Sequence, residues 1–252
     1  MDSYTEFSKL YDELMQNIPY EMWCEDIVSL LKKYGMETGT ICELGCGTGI
    51  MTELLAAKGY SMTGVDISPD MLALAKDKQD KSGSNVCYIM QDMCELTLFN
   101  PVDAMISLCD SMNYLLETEE LEAVFRRVKR YLKPGGIFIF DMKTEYCFEQ
   151  VMGNRILSEQ TENSDFYWDN CYDKEERLNE YQLTMYFREE GNELFRKYEE
   201  VHIQRAYEIQ EVSEQIEKSG LTLIHIYGSR LLQNVTDDCE RVYFVVKNGG
   251  KE

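Results

Sequence analysis

Short apolar runs alternate with helical patterns between residues 40 and 145, and this alternation constrains the fold more than any other feature of the chain. The runs read "TICEL", "SMTGVD", "VCYIMQD", "VDAMISLCD" and "IFIFDM". The helical stretch after the second run begins with Ser68 at the N-cap and Pro69 in the first turn, both typical of a helix start. Strands that are apolar on both faces need helices on both sides, as in a parallel sheet. The sequence therefore predicts an α/β fold.

The segments on either side of this alternation follow other patterns. Residues 5–34 carry apolar side chains at helical spacing and predict two helices. After residue 150, three segments follow one another without a helix between them, and residues 181–187 alternate apolar with polar side chains. We therefore predict a three-stranded antiparallel insertion across about 155–206, with a hairpin turn at 189–192. A further helix and two strands complete the pattern.

The composition narrows the classes of partner. The 252 residues carry 46 acidic and 25 basic side chains, a net charge of −21, which repels nucleic acid. The acidic, amphipathic N-terminus does not resemble a signal peptide, and no apolar run is long enough to cross a bilayer. Nine cysteines without a CxxC pair, and only two histidines, favour reduced thiols and no metal site. We expect a cytoplasmic protein without nucleic-acid or membrane partners.

The loop after the first apolar run, "ELGCGTG", is the strongest candidate for a ligand site. Parallel sheets bind ligands where such loops leave the carboxyl ends of the strands. The dinucleotide fingerprint would need glycine at position 50, where the chain has Ile50, and a phosphate loop would need a lysine that is absent nearby. Glu43 at the start of the loop would repel phosphate. The loop therefore favours a cationic ligand over an anionic one.

Acidic and apolar residues follow the next strands. Asp66 ends the second run, where a carboxylate can accept hydrogen bonds from both hydroxyls of a ribose, in nicotinamide and S-adenosylmethionine sites alike. Asp92 ends the third run and could accept from an adenine amino group. Leu108, with Ile67 and Met71, would complete a slot for adenosine. Alternatives remain open, because Asp66 fits a helix cap and Asp92 fits a turn.

Together, E-L-G-C-G-T-G, V-D-I-S, Q-D-M and I-S-L-C-D resemble motifs of class I S-adenosylmethionine-dependent methyltransferases, as does P-G-G-x-F-I-F-D at 134–141. The resemblance covers about residues 35–145. The aromatic-rich stretch at 4–23 is similar to a small-molecule and amino-sugar N-methyltransferase-like subgroup. In that subgroup, the N-terminal segment lies over the cofactor and an antiparallel insertion follows the fifth strand.

The resemblance implies a Rossmann-like fold with a seven-stranded, mostly parallel sheet and helices on both faces. It implies one methyltransferase domain across residues 1–252. Its parts would be a helical lid at 1–35, a cofactor-binding core at 36–150, the insertion at 151–206 and a completion of the core sheet at 207–252.

The resemblance also implies the cofactor, S-adenosyl-L-methionine, with S-adenosyl-L-homocysteine as product, and residues that hold it. Glu43 and the loop backbone would face the methionine end, Asp66 the ribose, and Asp92 with the Met93 amide the edge of the adenine. The remaining implied residues are Gly45, Cys46, Gly47 and Gly49 in the loop, Ile67 and Met71 around the adenine, Leu108 near the sulfonium, and Tyr4, Tyr11 and Trp23 as a lid. Tyr11 and Trp23 also fit core positions, and Cys46 fits a small spacer.

Methyl transfer from a sulfonium needs a general base only if the acceptor reaches the site protonated. Candidates on the acceptor side are Asp110, Asn113 and Tyr114, which follow the fourth run. Asp110 and Asn113 fit equally well as caps of the following helix. Of the two histidines, His202 could point over the pocket, but we expect it at a surface strand position, and we expect His225 in the core.

The leading hypothesis is a methyltransferase that acts on nitrogen or oxygen of a small molecule, as a monomer or homodimer. Alternatives are a noncatalytic module that binds the cofactor or a protein, and an NAD-dependent oxidoreductase. The oxidoreductase is disfavoured by Ile50 and by the lack of a Tyr-x-x-x-Lys pair. The insertion could cover the acceptor pocket or form a dimer interface, and the sequence does not choose between them.

Overall fold

Eleven strands and five helices make up the described part of the chain, which in this computed structural model is residues 18–160, 164–188 and 194–249. The helices are α1 Tyr20–Lys33, α2 Ile50–Ala57, α3 Pro69–Ser82, α4 Thr118–Tyr131 and α5 Ile209–Lys218. The first five strands are β1 Thr40–Leu44, β2 Ser61–Asp66, β3 Cys87–Met90, β4 Val102–Ser107 and β5 Leu132–Lys143. The others are β6 Arg155–Gln160, β7 Ser164–Asp173, β8 Leu178–Arg188, β9 Phe195–Arg205, β10 Thr222–Tyr227 and β11 Arg241–Lys247.

Seven of these strands form one sheet in the order β3-β2-β1-β4-β5-β11-β10. The first five are parallel, while β11 runs antiparallel to β5 and β10 antiparallel to β11. Strand order reverses at β1, because the chain first builds outward through β2 and β3 and then returns to β4. The loops after β1 and β4 therefore open side by side at the switch point, where open α/β sheets bind ligands. The predicted Rossmann-like fold is confirmed.

Each face of this sheet is packed against helices. On one face, a group of phenylalanines joins α4 to the sheet, with the Phe140 and Phe244 rings stacked at a centroid distance of 4.7 Å. On the other face, Ile27 and Leu30 of α1 are fully buried and belong to the same core cluster as Leu55 of α2. This arrangement follows from strands that are apolar on both faces.

The insertion is a second, antiparallel sheet in the order β6-β7-β8-β9. It follows β5, as expected, but it has four strands where three were predicted. The missed strand, Arg155–Gln160, lies at the edge, and five of its six residues are exposed. An exposed edge strand needs no apolar face, so its sequence carries no alternation to detect. The predicted turn at 189–192 lies wholly outside the described residues, and so do residues 7–14, which define the first predicted helix.

Three short helical segments lie in the connections between these elements. They are 3-10 helices at Met93–Glu95 and Ser111–Tyr114 and a π-helical segment at Cys147–Met152. Among the described residues, none of the helices combines the length and apolar character that crossing a membrane requires.

Candidate active site

The glycine loop between β1 and α2 has a backbone that requires glycine. Gly45, Gly47 and Gly49 all have positive φ angles, of 68°, 52° and 75°. A Cβ atom added at Gly45 would lie 2.6 Å from the Ser111 hydroxyl oxygen, and one at Gly49 would meet the Tyr88 hydroxyl. A Cβ atom at Gly47, by contrast, would meet nothing within 4 Å. Packing therefore explains the first and third glycines, while at Gly47 only the positive φ requires glycine and the side-chain direction is open.

Asp66, at the end of β2, holds this loop in place. One carboxylate oxygen accepts a hydrogen bond from the Gly47 amide at 2.7 Å, and the other accepts from the Ser68 amide at 2.9 Å. The Ser68 hydroxyl caps α3 by accepting from the Met71 amide. Each carboxylate oxygen can accept more than one hydrogen bond, so Asp66 retains capacity for a ligand hydroxyl.

Glu43 lies beneath the loop near the end of β1 and is only 3% exposed. Its carboxylate accepts a hydrogen bond from the Thr52 hydroxyl of α2. Burial disfavours the charged form and raises the pKa of Glu43 to about 8, although the Thr52 hydrogen bond opposes this shift. The carboxyl group is therefore mostly protonated at neutral pH, and a nearby cation would favour its ionisation.

Exposed apolar side chains lie beside Asp66 at the carboxyl ends of β2 and β3. Ile67 is 66% exposed and Met90 is 62% exposed, and Met90 pairs with Asp66 in the sheet register. Such surfaces suit a flat aromatic ring. The sequence predicted Ile67 but missed Met90, because an apolar residue inside a strand pattern is indistinguishable from a core residue. Met71 is half-buried on the first turn of α3.

Asp92 and Met93 begin the loop after β3. Asp92 is exposed and accepts a hydrogen bond from the Cys94 amide at 2.8 Å, so it does cap a turn, as the alternative interpretation held. The methyl carbon of Met93 lies 3.5 Å from the position of a Cβ atom at Gly45. Met93 therefore borders the glycine loop, and the predicted contact of Asp92 with adenine stays a prediction.

Leu108 and Ser111 connect the loop after β4 to the glycine loop. The Ser111 hydroxyl lies 2.9 Å from the Leu108 carbonyl oxygen and 3.2 Å from the Gly45 carbonyl oxygen. The Leu108 side chain is buried. No motif indicated Ser111, whose position against Gly45 depends on the pairing of β1 with β4.

Asp110 is the centre of an ion-pair network. Its carboxylate contacts Lys143 at 2.9 Å, Arg241 at 2.6 Å and the Gln204 amide at 2.8 Å. Its own amide donates to Asp141, which also pairs with Arg241. Although burial opposes it, the attraction of Lys143 and Arg241 holds the pKa of Asp110 well below its usual range. Asp110 is therefore ionised and committed to partners of its own chain, which makes it a poor proton acceptor.

Asn113 is fully buried and satisfied by backbone groups. Its amide nitrogen donates to the carbonyl oxygens of Lys143 and Arg205, and its amide oxygen accepts from the Lys143 amide at 2.9 Å. The alternative interpretation of Asp110 and Asn113 as caps of the next helix is wrong, because a capping box of Glu117 and Glu120 begins α4. Asn113 instead ties the loop after β4 to the ends of β5 and β9.

Tyr114 meets the inserted sheet. Its hydroxyl oxygen lies 3.0 Å from Nδ1 of His202 and 3.1 Å from the Tyr181 hydroxyl. His202, expected at a surface position, is half-buried in this cluster, and His225, expected in the core, is exposed on the edge strand β10. Of the three acceptor-side candidates, Tyr114 alone presents a substantial exposed surface, 41%.

The remaining predicted residues divide into two groups. Cys46 is buried within the loop, and burial raises the pKa of its thiol, consistent with a small spacer. The Arg241 guanidinium lies over the Trp23 ring, 5.6 Å from the ring centroid, so Trp23 makes a structural contact with Arg241. Tyr4 and Tyr11 lie outside the described residues, so the lid stays a prediction.

The site thus combines an open glycine backbone, a buried carboxyl group that a cation would ionise and a carboxylate placed for a ribose. The residues present fit S-adenosylmethionine, whose amino acid end carries an ammonium group and whose other end is a nucleoside. These features define the class of S-adenosylmethionine-dependent methyltransferases.

Comparison with known proteins agrees with this class. The model of a methyltransferase domain matches residues 41–136. A candidate methyltransferase of Geobacillus sp. is 32% identical over 97% of this chain and 99% of its own. The structure of an S-adenosylmethionine-dependent methyltransferase of Clostridium acetobutylicum superposes with a TM-score of 0.89, at 27% identity, over 98% of this chain and 99% of that one. A dTDP-3-amino-3,4,6-trideoxy-α-D-glucopyranose N,N-dimethyltransferase of Streptomyces venezuelae is 28% identical over 48% of this chain and 50% of its own. The chain belongs to the class I S-adenosylmethionine-dependent methyltransferases and is an enzyme of that family.

The Asp110 network generates a first prediction. Asp110→Asn should lower the free energy of unfolding by about 3–5 kcal/mol at pH 7, because it leaves Lys143 and Arg241 without their shared anion. Since the pKa of Asp110 is lowered in the folded state, this stabilisation is present above the ordinary aspartate pKa and is lost as the pH falls. Urea unfolding at pH 7, at pH 4 and near pH 2 should show a difference that largely persists at pH 4 and shrinks only as the pH falls further towards the lowered pKa of Asp110.

The matched control is Asp77→Asn, on an exposed position of α3, which should change stability by less than about 0.5 kcal/mol. An Asp110→Asn protein that is as stable as the wild type but inactive would instead make Asp110 the proton acceptor.

Proposed function

We propose that the enzyme transfers the methyl group of S-adenosylmethionine to a nitrogen or oxygen atom of a small-molecule acceptor. The observation that carries the proposal is the pairing of Gly47, beside which the side-chain direction is open, with the buried Glu43 beneath the same loop. When bound, the cofactor supplies an electrophilic methyl group on a sulfonium. The chain's own task is to hold both reactants in line and to remove a proton where the acceptor carries one.

In this proposal, Glu43 and the loop backbone from Gly45 to Gly49 bind the methionine end. Glu43 ionises in response to the ammonium group, directly or through a water molecule. Asp66 accepts from the ribose hydroxyls with the lone pairs that the Gly47 and Ser68 amides leave over.

The adenine in turn lies against apolar surfaces at the carboxyl ends of β2 and β3. Ile67 and Met71 provide two of these surfaces, and the exposed Met90 adds a third that the motif pattern did not indicate. Asp92 and the Met93 amide border the adenine edge, and the Leu108 carbonyl lies on the sulfonium side.

The acceptor side is bounded by the inserted sheet. The hydrogen bonds of Tyr114 with Tyr181 and His202 tie that sheet to the loop after β4, next to the glycine loop. This contact supports the insertion as a cover of the acceptor pocket. The strongly acidic surface disfavours a polynucleotide acceptor, and the relative from Streptomyces venezuelae acts on the amine of a sugar nucleotide. An amine or hydroxyl group of a small molecule is therefore the proposed acceptor.

The cofactor assignment is tested by replacing Asp66. Asp66→Ala should weaken S-adenosylmethionine binding about 10- to 100-fold, because a carboxylate that accepts from ribose hydroxyls also holds the Gly47 amide. Isothermal titration calorimetry measures the affinity, with NAD as the competing ligand and Asp77→Ala as the control. Unchanged affinity in Asp66→Ala, or tighter binding of NAD, would contradict the assignment.

The acceptor class is tested with radiolabelled S-adenosylmethionine and four groups of acceptors: amino-sugar nucleotides, phenols, oligonucleotides and unfolded protein. Transfer to an amine or phenol is expected, since the Tyr114 cluster can receive the proton that such acceptors lose. Label that reaches only oligonucleotides or protein would contradict the small-molecule proposal.

A further inference from the structure

His202 lies between a tyrosine and a glutamate. Its Nδ1 atom is 3.0 Å from the Tyr114 hydroxyl oxygen, and its Nε2 atom is 3.1 Å from Oε2 of Glu200. Glu200 and His202 are two residues apart on β9, so both side chains lie on one face of the inserted sheet. Tyr181, the partner of His202 on β8, stacks on the imidazole at a centroid distance of 4.8 Å. Ring stacking and two hydrogen bonds thus fix the imidazole.

The partners of His202 determine which ring nitrogen carries the proton. Ionised Glu200 can only accept, so the neutral imidazole must carry its proton on Nε2. Nδ1 is then an acceptor, and the Tyr114 hydroxyl is the donor that faces it. The chain Tyr114–His202–Glu200 therefore has one direction, from the hydroxyl group towards the carboxylate, as when a carboxylate orients a histidine base.

Tyr114 lies on the same short helix as a residue that contacts the cofactor loop. Ser111, three residues earlier in the same 3-10 helix, contacts the Gly45 carbonyl oxygen at 3.2 Å. Residues three apart in a 3-10 helix lie on the same side, separated by about 6 Å along the axis. Tyr114 is thus one helical turn from the residue that contacts the glycine loop, and 41% of its surface is exposed.

The charges around Tyr114 explain why a tyrosine alone would not serve as a base. Burial, together with the negative charges of Asp110 and Glu200, raises the pKa of Tyr114 to about 12, against an opposing hydrogen bond from Tyr181. A tyrosinate is therefore unfavourable here. A tyrosine that takes a proton must pass its own proton on, and His202 is the acceptor in contact with it.

We propose that Tyr114, His202 and Glu200 form a proton relay that deprotonates the methyl acceptor. This proposal rests on the proposed function. As the acceptor's lone pair forms its bond to the methyl carbon, the carbon–sulfur bond breaks and its electron pair returns to sulfur. The proton of the acceptor moves to the Tyr114 oxygen, and the Tyr114 proton moves to Nδ1 of His202. The resulting imidazolium is stabilised by Glu200 and later loses its proton to solvent.

The first test needs neither cofactor nor acceptor. The chain has two histidines, so nitrogen-15 NMR of the full protein shows two imidazoles, and His225→Gln assigns them. The neutral imidazole of His202 should carry its proton on Nε2, and Tyr114→Phe should shift the Nδ1 resonance towards that of a nitrogen without a hydrogen-bond donor. A proton on Nδ1, or an Nδ1 resonance that does not change in Tyr114→Phe, overturns the relay even if the enzyme is a methyltransferase.

The second test is turnover against pH, with the amine or phenol that accepts labelled methyl fastest. His202→Gln and Tyr114→Phe should lower kcat about 10²- to 10⁴-fold and remove the pH limb of the base, with unchanged affinity for S-adenosylmethionine. His225→Gln, on the exposed edge strand, is the matched control and should leave kcat and its pH profile unchanged. Wild-type kcat in Tyr114→Phe overturns the relay, whereas failure of the wild type to bind the cofactor overturns the proposed function instead.

Discussion

The burial of the Glu43 carboxyl group under the glycine loop is the constraint on which the site depends. A carboxylate at 3% exposure is costly unless it is paired, and the Thr52 hydroxyl offsets only part of that cost. The group therefore stays protonated until a cation approaches. The loop above it is held in a left-handed backbone by its glycines, and Asp66 fixes it through the Gly47 amide.

The two reactants meet different parts of the chain. The cofactor side is built from the carboxyl ends of parallel strands and their loops, which the core of the sheet holds rigidly. In the proposed function the acceptor side depends on the inserted sheet, which contacts the loop after β4 through Tyr114 and through the hydrogen bond from Gln204 to Asp110. Arg241 links both sides, since it pairs with Asp110 and Asp141 and packs on Trp23.

The parallel strands and the glycine loop were predictable because their signals are local: apolar runs, a serine cap and glycines at fixed spacing. Strand β6 was not predictable, because an exposed edge strand needs no alternation of apolar and polar side chains. The expected burial of the two histidines was wrong, because His202 is half-buried and His225 is exposed. The burial of His202 depends on Tyr114, which is 88 residues away in the sequence. Asp110 likewise meets Arg241, 131 residues away, and no local pattern indicates such a partner.

The most direct measurement of the central claim is the proton balance of cofactor binding. Because burial raises the pKa of Glu43 to about 8, the free enzyme is protonated there at pH 7, and the cofactor's ammonium group should expel that proton into the buffer. Calorimetric titration at pH 7 in phosphate and in Tris should show different binding enthalpies, and the difference should correspond to the release of up to about one proton per cofactor. Glu43→Gln should not show this proton release. The same variant also measures any proton uptake by the cofactor's own amino group, which is then subtracted from the wild-type value. A wild-type enthalpy that is the same in both buffers, or a release that persists in Glu43→Gln, would contradict the account.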